Sequence, residues 1–116
     1  IDAACETGIN AIGVDVDQWA STPDSAECIV TSAEKKLTSS VRTAIEEFAA
    51  GTVRDSNQFL GADTEMIGLA PYYQFADLIT SEIQGKVDTA FDAMAGGTLD
   101  PCAPNACFTG TPDPGT

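Results

Sequence analysis

The sequence predicts an α/β fold in which a sheet is flanked by helices. Short apolar runs of strand length alternate with longer segments whose apolar residues recur at helical spacing. These segments follow the order helix, strand, strand, helix, two strands, helix, which is typical of layered α/β proteins. With 116 residues and 43% hydrophobic content, the chain is long enough for one hydrophobic core.

The first part of the chain contains the start of the predicted sheet. Residues 2–9 resemble the last turns of a short helix. Residues 11–16 form an apolar run, which is typical of a buried parallel strand. Residues 18–26 are rich in Ser, Thr, Pro and Asp and predict a loop, whereas residues 28–31 predict a second short strand.

Two longer segments have the spacing of amphipathic helices. Residues 33–50 carry one apolar side and predict a helix. Residues 75–94 repeat this spacing, with Thr80 or Ser81 as the expected N-terminal cap. The apolar side of the first helix comprises Leu37, Val41, Ala44, Ile45, Phe48 and Ala49.

The segments around these helices predict a hairpin and an irregular tail. Residues 58–61 and 66–70 are apolar, and the turn-like residues between them predict two antiparallel strands. Residues 99–116 are rich in Pro, Gly and Thr and show no periodicity, so they predict an irregular tail. We therefore divide the chain into residues 1–98 and this tail.

Four cysteines indicate an oxidising compartment. Cys102 and Cys107 have four residues between them in a Pro-rich loop, and we expect them to form a disulfide. Cys5 and Cys28 are the candidates for a second pair, although four cysteines permit three connectivities and buried free thiols are the alternative. Two disulfides would place the chain in an extracytoplasmic compartment.

The charge excludes several classes of function. The chain has 18 acidic residues against 5 basic ones, no His and a net charge of −13. Such a field repels phosphate backbones and anionic membrane surfaces, so we expect no nucleic-acid partner. Without His, a His-based catalytic triad, a His-ligated zinc site and an imidazole base are impossible. Since phosphate-binding glycine motifs are also absent, we expect a binding protein and not an enzyme.

Asp15 and Asp17 are the first candidate site. They end the first predicted strand, where positions i and i+2 share a face and the two carboxylates could converge. In α/β sheets ligands bind beyond the carboxyl ends of the strands. The pair could accept hydrogen bonds from hydroxyl groups, hold Mg²⁺ or Ca²⁺, or act as acid and base. The alternative is that they are ordinary strand-end or helix-cap residues.

Basic and aromatic residues supply further candidates. Lys35–Lys36 is a notable pair in a chain with 5 basic residues, and one of them could neutralise Asp15. The alternative is a solvated helix turn. Trp19 and Tyr72–Tyr73 could stack on a flat ligand, or they could seal the edge of the core.

An ordered series of segments resembles the basic membrane lipoprotein family. Residues 12–18 read Ile-Gly-Val-Asp-Val-Asp-Gln, residues 29–35 read Ile-Val-Thr-Ser-Ala-Glu-Lys, and residues 67–71 read Ile-Gly-Leu-Ala-Pro. Residues 58–61 and 85–87 match later positions of the family pattern. The members of this family are substrate-binding proteins of ABC importers, and they include purine nucleoside receptors.

The resemblance covers residues 1–98 and implies a fold, a ligand and a location. It implies part of the C-terminal lobe of a type I periplasmic-binding fold, in which two lobes close over a purine nucleoside or similar molecule and then dock on an ABC permease. Asp15 is implied as acceptor of the ribose hydroxyls, Lys35 as its cationic partner, and Trp19 as a residue beside the sugar. No metal or other cofactor is implied. The intact protein would be extracytoplasmic and membrane-anchored, and the N-terminal lobe would lie outside this chain.

Two other functions remain open at this point. The first is a secreted acidic structural or assembly protein, such as a surface-layer or filament subunit, with no small-molecule role. The second is an enzyme that uses Asp15 and Asp17 around a metal ion.

Overall fold

The computed structural model describes residues 1–53 and 60–101 and has an α/β fold, which confirms the predicted class. A mixed three-stranded sheet has the order β1-β2-β3. The strands are β1 (Ala11–Asp15), β2 (Ile29–Lys35) and β3 (Ile67–Leu69). The α-helices are α1 (Asp2–Glu6), α2 (Gln18–Ser21), α3 (Leu37–Ala49) and α4 (Ser81–Ala95), and short 3-10 helices span Pro23–Cys28, Ala62–Thr64 and Tyr73–Leu78.

Strands β1 and β2 are parallel, so their carboxyl ends meet at one edge of the sheet. Close packing supports this pairing, because a Cβ atom at Gly13 would lie 2.4 Å from Ser32 Oγ. The same hydroxyl oxygen accepts a hydrogen bond of 3.0 Å from the backbone N–H of Gln18. Gly13 therefore allows α2 to start directly beside the sheet.

The segment predicted as a loop contains two helical turns. The Asp17 side chain accepts a hydrogen bond of 3.1 Å from the Trp19 backbone N–H and thereby caps α2. Pro23 then occupies the first turn of a 3-10 helix, where its missing N–H costs no hydrogen bond. The composition of residues 18–26 does not predict these short helices, because Ser, Thr, Pro and Asp favour both helix caps and turns.

Strand β2 is longer than predicted, and α3 is shorter. The helical spacing predicts that residues 33–35 belong to the helix, but they are extended because β3 pairs with them in antiparallel orientation. The backbone N–H of Lys36 continues this pairing with a 2.8 Å hydrogen bond to the Met66 carbonyl oxygen. Helix α3 consequently begins at Leu37.

The predicted hairpin is wrong in its pairing. Strand β3 pairs with β2, and Leu60 and Gly61 are not in a strand. The rest of the first predicted hairpin strand, residues 58–59, lies outside the described residues. A side chain of β2 reinforces the pairing of β2 with β3. The Thr31 hydroxyl donates a hydrogen bond of 2.6 Å to the carbonyl oxygen of Ala70, the residue that follows β3.

Helix α4 begins as the sequence predicts. The Thr80 hydroxyl oxygen accepts a hydrogen bond of 3.2 Å from the Ile83 backbone N–H, so Thr80 is the N-terminal cap. At 15 residues α4 is the longest helix of the described chain. Within residues 1–53 and 60–101, no helix is both long and apolar enough to cross a membrane.

The buried core is small, and β1 is not the buried strand that its composition predicts. Ile12 and Val14 are 61% and 55% exposed, and β1 pairs only with β2 within the described chain. The Cα radius of gyration is 17.2 Å, against about 13 Å for a compact domain of this length. The buried side chains are the apolar Cys28, Ile29, Ala62 and Ala70 and the polar Ser25, Thr31 and Ser32.

A disulfide joins Cys5 of α1 to Cys28, the residue that precedes β2. Their Cα atoms are 5.5 Å apart, an ordinary separation for a disulfide. The Ser25 hydroxyl also donates a hydrogen bond to the Asp2 carboxylate, which gives α1 a second attachment. The second predicted pair, Cys102 and Cys107, lies outside the described residues.

We predict that the variant Cys5→Ser/Cys28→Ser unfolds at a lower temperature than the wild type. The disulfide closes a loop with a sequence separation of 23, so its removal should cost about 3 kcal/mol of unfolding free energy. Thermal unfolding followed by circular dichroism measures this. As a control, a reducing agent should destabilise the wild type more than the variant. An unchanged melting temperature in the variant would contradict the prediction.

Candidate functional site

Asp15 and Lys35 form an ion pair at the carboxyl end of the two parallel strands. The Lys35 Nζ atom lies 2.7 Å from an Asp15 carboxylate oxygen. Both side chains remain largely exposed, at 63% for Lys35 and 58% for Asp15. An exposed ion pair adds little to folding stability, because water screens it. Folding alone therefore does not require this pair, and both groups are free to contact a ligand.

Asp15 has an unusual backbone conformation. Its φ angle is +75°, in the left-handed region that residues other than glycine seldom adopt. Aspartate tolerates this region better than most residues, yet the conformation still costs energy. The chain uses it to turn from β1 into α2 while the Asp15 carboxylate stays beside Lys35. Strained residues of this kind concentrate at functional sites.

Asp17 lines the same cleft as Asp15 and also makes structural hydrogen bonds, so the joint action of the two carboxylates on a ligand stays a prediction. Strand β1 ends at Asp15, so the alternation of faces that would align positions i and i+2 stops there. Asp17 instead caps α2 with one carboxylate oxygen, and its other oxygen accepts a hydrogen bond from the Tyr73 hydroxyl. Within the described ranges, no group of three His, Cys, Asp or Glu residues could hold a metal ion.

Trp19 packs on Tyr73 in a cluster that sequence reasoning did not assemble. The two rings are stacked, with centroids 3.9 Å apart and planes 9° from parallel. The indole N–H of Trp19 donates a hydrogen bond of 2.8 Å to the side-chain oxygen of Gln74. The amide of Gln74 donates in turn to the Ala26 carbonyl oxygen at 2.9 Å. The Tyr72–Tyr73 pair was a signal in the sequence, but a separation of more than fifty residues hid its partner.

The Asp17 carboxylate and the Tyr73 hydroxyl are coupled. The hydrogen bond to Asp17 raises the pKa of Tyr73, and burial and the negative charges of Asp17 and Glu34 raise it further. Tyr73 also has a φ angle of +45°, so its backbone is strained as well. This cluster fixes the turn that follows Asp15.

An open cleft of about 550 Å³ lies at this edge of the sheet. Five charged residues and the start of α3 line it, namely Asp15, Asp17, Glu34, Lys35, Lys36, Thr38 and Ser39. Both lysines line the cleft, and Lys36 also lies against Gly68, where a Cβ atom would be 3.2 Å from Lys36 Cε. Lys35 is the lysine paired with Asp15. Whether Asp15, Lys35 and Trp19 bind a ligand stays a prediction.

Comparisons with known proteins show a likeness of fold. No family model and no curated protein matches this sequence. Among solved structures, the chain is similar to a transcriptional activator of the comK gene from Bacillus halodurans, with a TM-score of 0.69 and 17% sequence identity. The match covers 86% of this chain and 33% of that one. The chain thus spans about a third of the length of this structural relative.

We predict that Asp17→Asn lowers the pKa of Tyr73 toward the ordinary tyrosine value. Tyr73 holds its proton more tightly in the folded state. Its contribution to stability is therefore complete below the ordinary pKa of about 10 and is lost as the pH rises through the raised value. Ultraviolet titration of tyrosine ionisation measures the pKa. The tyrosine ionisation with the raised pKa should be absent from Tyr73→Phe and present in Tyr72→Phe. If it is still present in Asp17→Asn, the prediction is contradicted.

Proposed function

We propose that this chain is part of an extracytoplasmic solute-binding protein that delivers a nucleoside-like ligand to an ABC importer. The observation that carries the proposal is the exposed Asp15–Lys35 pair at the shared carboxyl end of β1 and β2. This is the edge at which open α/β sheets bind ligands. The function requires binding and release, with no bond made or broken.

The chemistry of the pair suits a ligand with neighbouring hydroxyl groups. An ionised carboxylate accepts hydrogen bonds from two hydroxyls at once, as a ribose ring offers, and such charge-assisted bonds are strong. Lys35 donates to ligand oxygens and keeps Asp15 oriented, since the two groups are 2.7 Å apart. The left-handed backbone of Asp15 holds the carboxylate in place before the ligand arrives.

The remainder of the binding protein would close the cleft. The cleft beside Asp15 is open, and a ligand that touches it remains in contact with water on the other side. Closure by a second lobe would exclude this water and strengthen the charged hydrogen bonds. The aromatic groups that hold the base would come from that lobe, because Trp19 is already stacked on Tyr73.

DNA binding is not favoured, although the structural relative is named as a transcriptional activator. The net charge of −13 repels the phosphate backbone. A DNA-binding face needs a basic patch to release counterions, and five basic residues against 18 acidic ones oppose it.

A second candidate is a secreted acidic structural or assembly protein. The large exposed apolar side chains of α3 favour it, because such surfaces mediate association. Sedimentation velocity distinguishes the two functions. Ordered assembly that increases with protein concentration and does not respond to nucleosides would support the structural role. A mass that stays constant with concentration, together with nucleoside binding, would contradict it.

We predict that Asp15→Asn and Lys35→Met weaken nucleoside binding by the full gene product. Each variant removes one charge from the pair, and a charged hydrogen bond contributes roughly 10- to 100-fold in affinity. Asn tolerates the left-handed region, so Asp15→Asn keeps the backbone turn. Isothermal titration calorimetry with inosine, adenosine and guanosine measures the dissociation constants.

The matched control is a second exposed ion pair. Lys86 and Glu82 lie 2.8 Å apart on α4, away from the cleft. Lys86→Met and Glu82→Gln make the same charge changes and should leave nucleoside affinity unaltered. Wild-type affinity in Asp15→Asn and Lys35→Met would show that the site assignment is wrong.

A further inference from the structure

Helix α3 presents a row of large apolar side chains to solvent. They recur at the three- and four-residue spacing of one helix face. The half-buried positions of the helix, Ser40, Thr43 and Glu47, lie on another side. Exposed apolar patches of this kind mark sites of association. We call the exposed row the α3 stripe, and its members are Leu37 (59% exposed), Val41 (58%), Ile45 (62%) and Phe48 (77%).

The charge of α3 differs from that of the whole chain. Residues 36–49 contain two basic and two acidic side chains and therefore carry no net charge, whereas the chain carries −13. The basic residues, Lys36 and Arg42, lie in the first half of this segment, and the acidic residues, Glu46 and Glu47, lie in the second half. A second copy in antiparallel orientation would bring opposite charges together along α3, whereas a parallel copy would bring like charges together.

The α3 stripe is also complementary to itself in an antiparallel pair. A two-fold axis near residues 42–43 places Leu37 opposite Phe48 of the second copy, and Val41 opposite Ile45 of the second copy. Each contact then joins two large apolar side chains and removes both from water. The contacts are the same when they are followed from either copy, as a two-fold interface requires.

Arg42 and Glu46 lie on one side of the stripe and can make contacts between copies. They are four residues apart on an exposed face, yet neither forms an ion pair within residues 1–53 and 60–101. Helical side chains lean toward the N-terminus of their helix, so Arg42 leans away from Glu46 of its own helix. In the antiparallel pair, the same lean directs Arg42 toward Glu46 of the second copy, and this contact occurs twice.

Repulsion between copies is the force that opposes association. Each copy carries a net charge of −13, so two copies repel one another at long range. At physiological ionic strength, however, exposed charges more than about 8 Å apart are largely screened. Because α3 itself has no net charge, the contacts within that distance are apolar or join opposite charges. The interface is therefore placed where the acidic surface opposes it least.

We propose that two copies of this protein associate through their α3 stripes, in antiparallel orientation about a two-fold axis. The assembly is a closed dimer, because each stripe is covered by the other and offers nothing to a third copy. It thus differs from an open filament. The inference does not rest on nucleoside binding, and a dimer is compatible with the proposed function.

The first test places a charge in the middle of the stripe. Sedimentation equilibrium of the full gene product measures the dissociation constant of the dimer. Ile45→Glu should raise this constant at least about 30-fold, because the dimer would bury an unpaired carboxylate in each copy. The matched control is Ile9→Glu, which adds the same charge outside α3 at nearly equal exposure, 60% for Ile9 against 62% for Ile45. The control should change the constant by less than about threefold.

The second test reverses the charges beside the stripe. Arg42→Glu and Glu46→Arg should each weaken the dimer roughly fivefold, because each creates two like-charge contacts between copies. The double variant restores opposite charges and should return to within about threefold of the wild type. A general effect of net charge would instead move the two single variants in opposite directions. Both side chains are exposed, so these variants should keep the circular dichroism spectrum of the wild type.

Salt concentration separates the apolar contact from the long-range repulsion. Raising sodium chloride from about 0.05 M to about 0.5 M should strengthen the dimer, because salt screens the repulsion between acidic copies and leaves the apolar stripe in place. A dimer that weakens with salt would contradict the proposal, since charged contacts would then hold it together.

Four further outcomes would overturn the proposal. The first is a full gene product that stays monomeric at every concentration. The second is a dimer that Ile45→Glu and Ile9→Glu affect equally, which would place the interface elsewhere. The third is a mass that continues to rise beyond that of two copies. The fourth is a double charge-reversal variant that is weaker than both single variants, which would exclude the antiparallel orientation.

Discussion

The parallel pairing of β1 with β2 is the constraint on which the rest of the structure depends. It places the carboxyl ends of both strands at one edge, and thereby brings Asp15 within 2.7 Å of Lys35, twenty residues later in the chain. The pairing needs close approach of the strands and of α2, which Gly13 and the Ser32 hydroxyl make possible. The disulfide between Cys5 and Cys28 then holds the helix before β1 to the start of β2.

The turn after β1 shows how one acidic residue can be positioned by another. Asp17 caps α2 and accepts the Tyr73 hydroxyl, and Tyr73 stacks on Trp19. These contacts are made by half-buried groups, where hydrogen bonds are stronger than in water. They hold a backbone that is left-handed at Asp15. Both carboxylates line the cleft, and Asp17 in addition supports the scaffold through its two hydrogen bonds.

Local patterns in the sequence predict single helices and strands better than they predict which elements and side chains contact one another. Apolar periodicity and the Thr80 cap predicted α4, because a helix is stabilised by contacts within a few residues. The pairing of β3 with β2, and the stacking of Tyr73 on Trp19, join residues far apart in the chain and leave no local pattern. Composition predicts that Lys35 or Lys36 could neutralise Asp15, and the resemblance to solute-binding proteins selects Lys35.

The wrong expectation about β1 has a physical meaning. Its composition is that of a strand with both faces covered, yet Ile12 and Val14 are exposed. Helix α3 repeats the conflict, since its spacing is that of an amphipathic helix with one side packed on a core, yet the large apolar side chains of that side are exposed. The apolar pattern and the observed exposure therefore disagree on two elements at once. Periodicity identifies which side of a helix or strand is apolar, but it does not show whether another element covers that side.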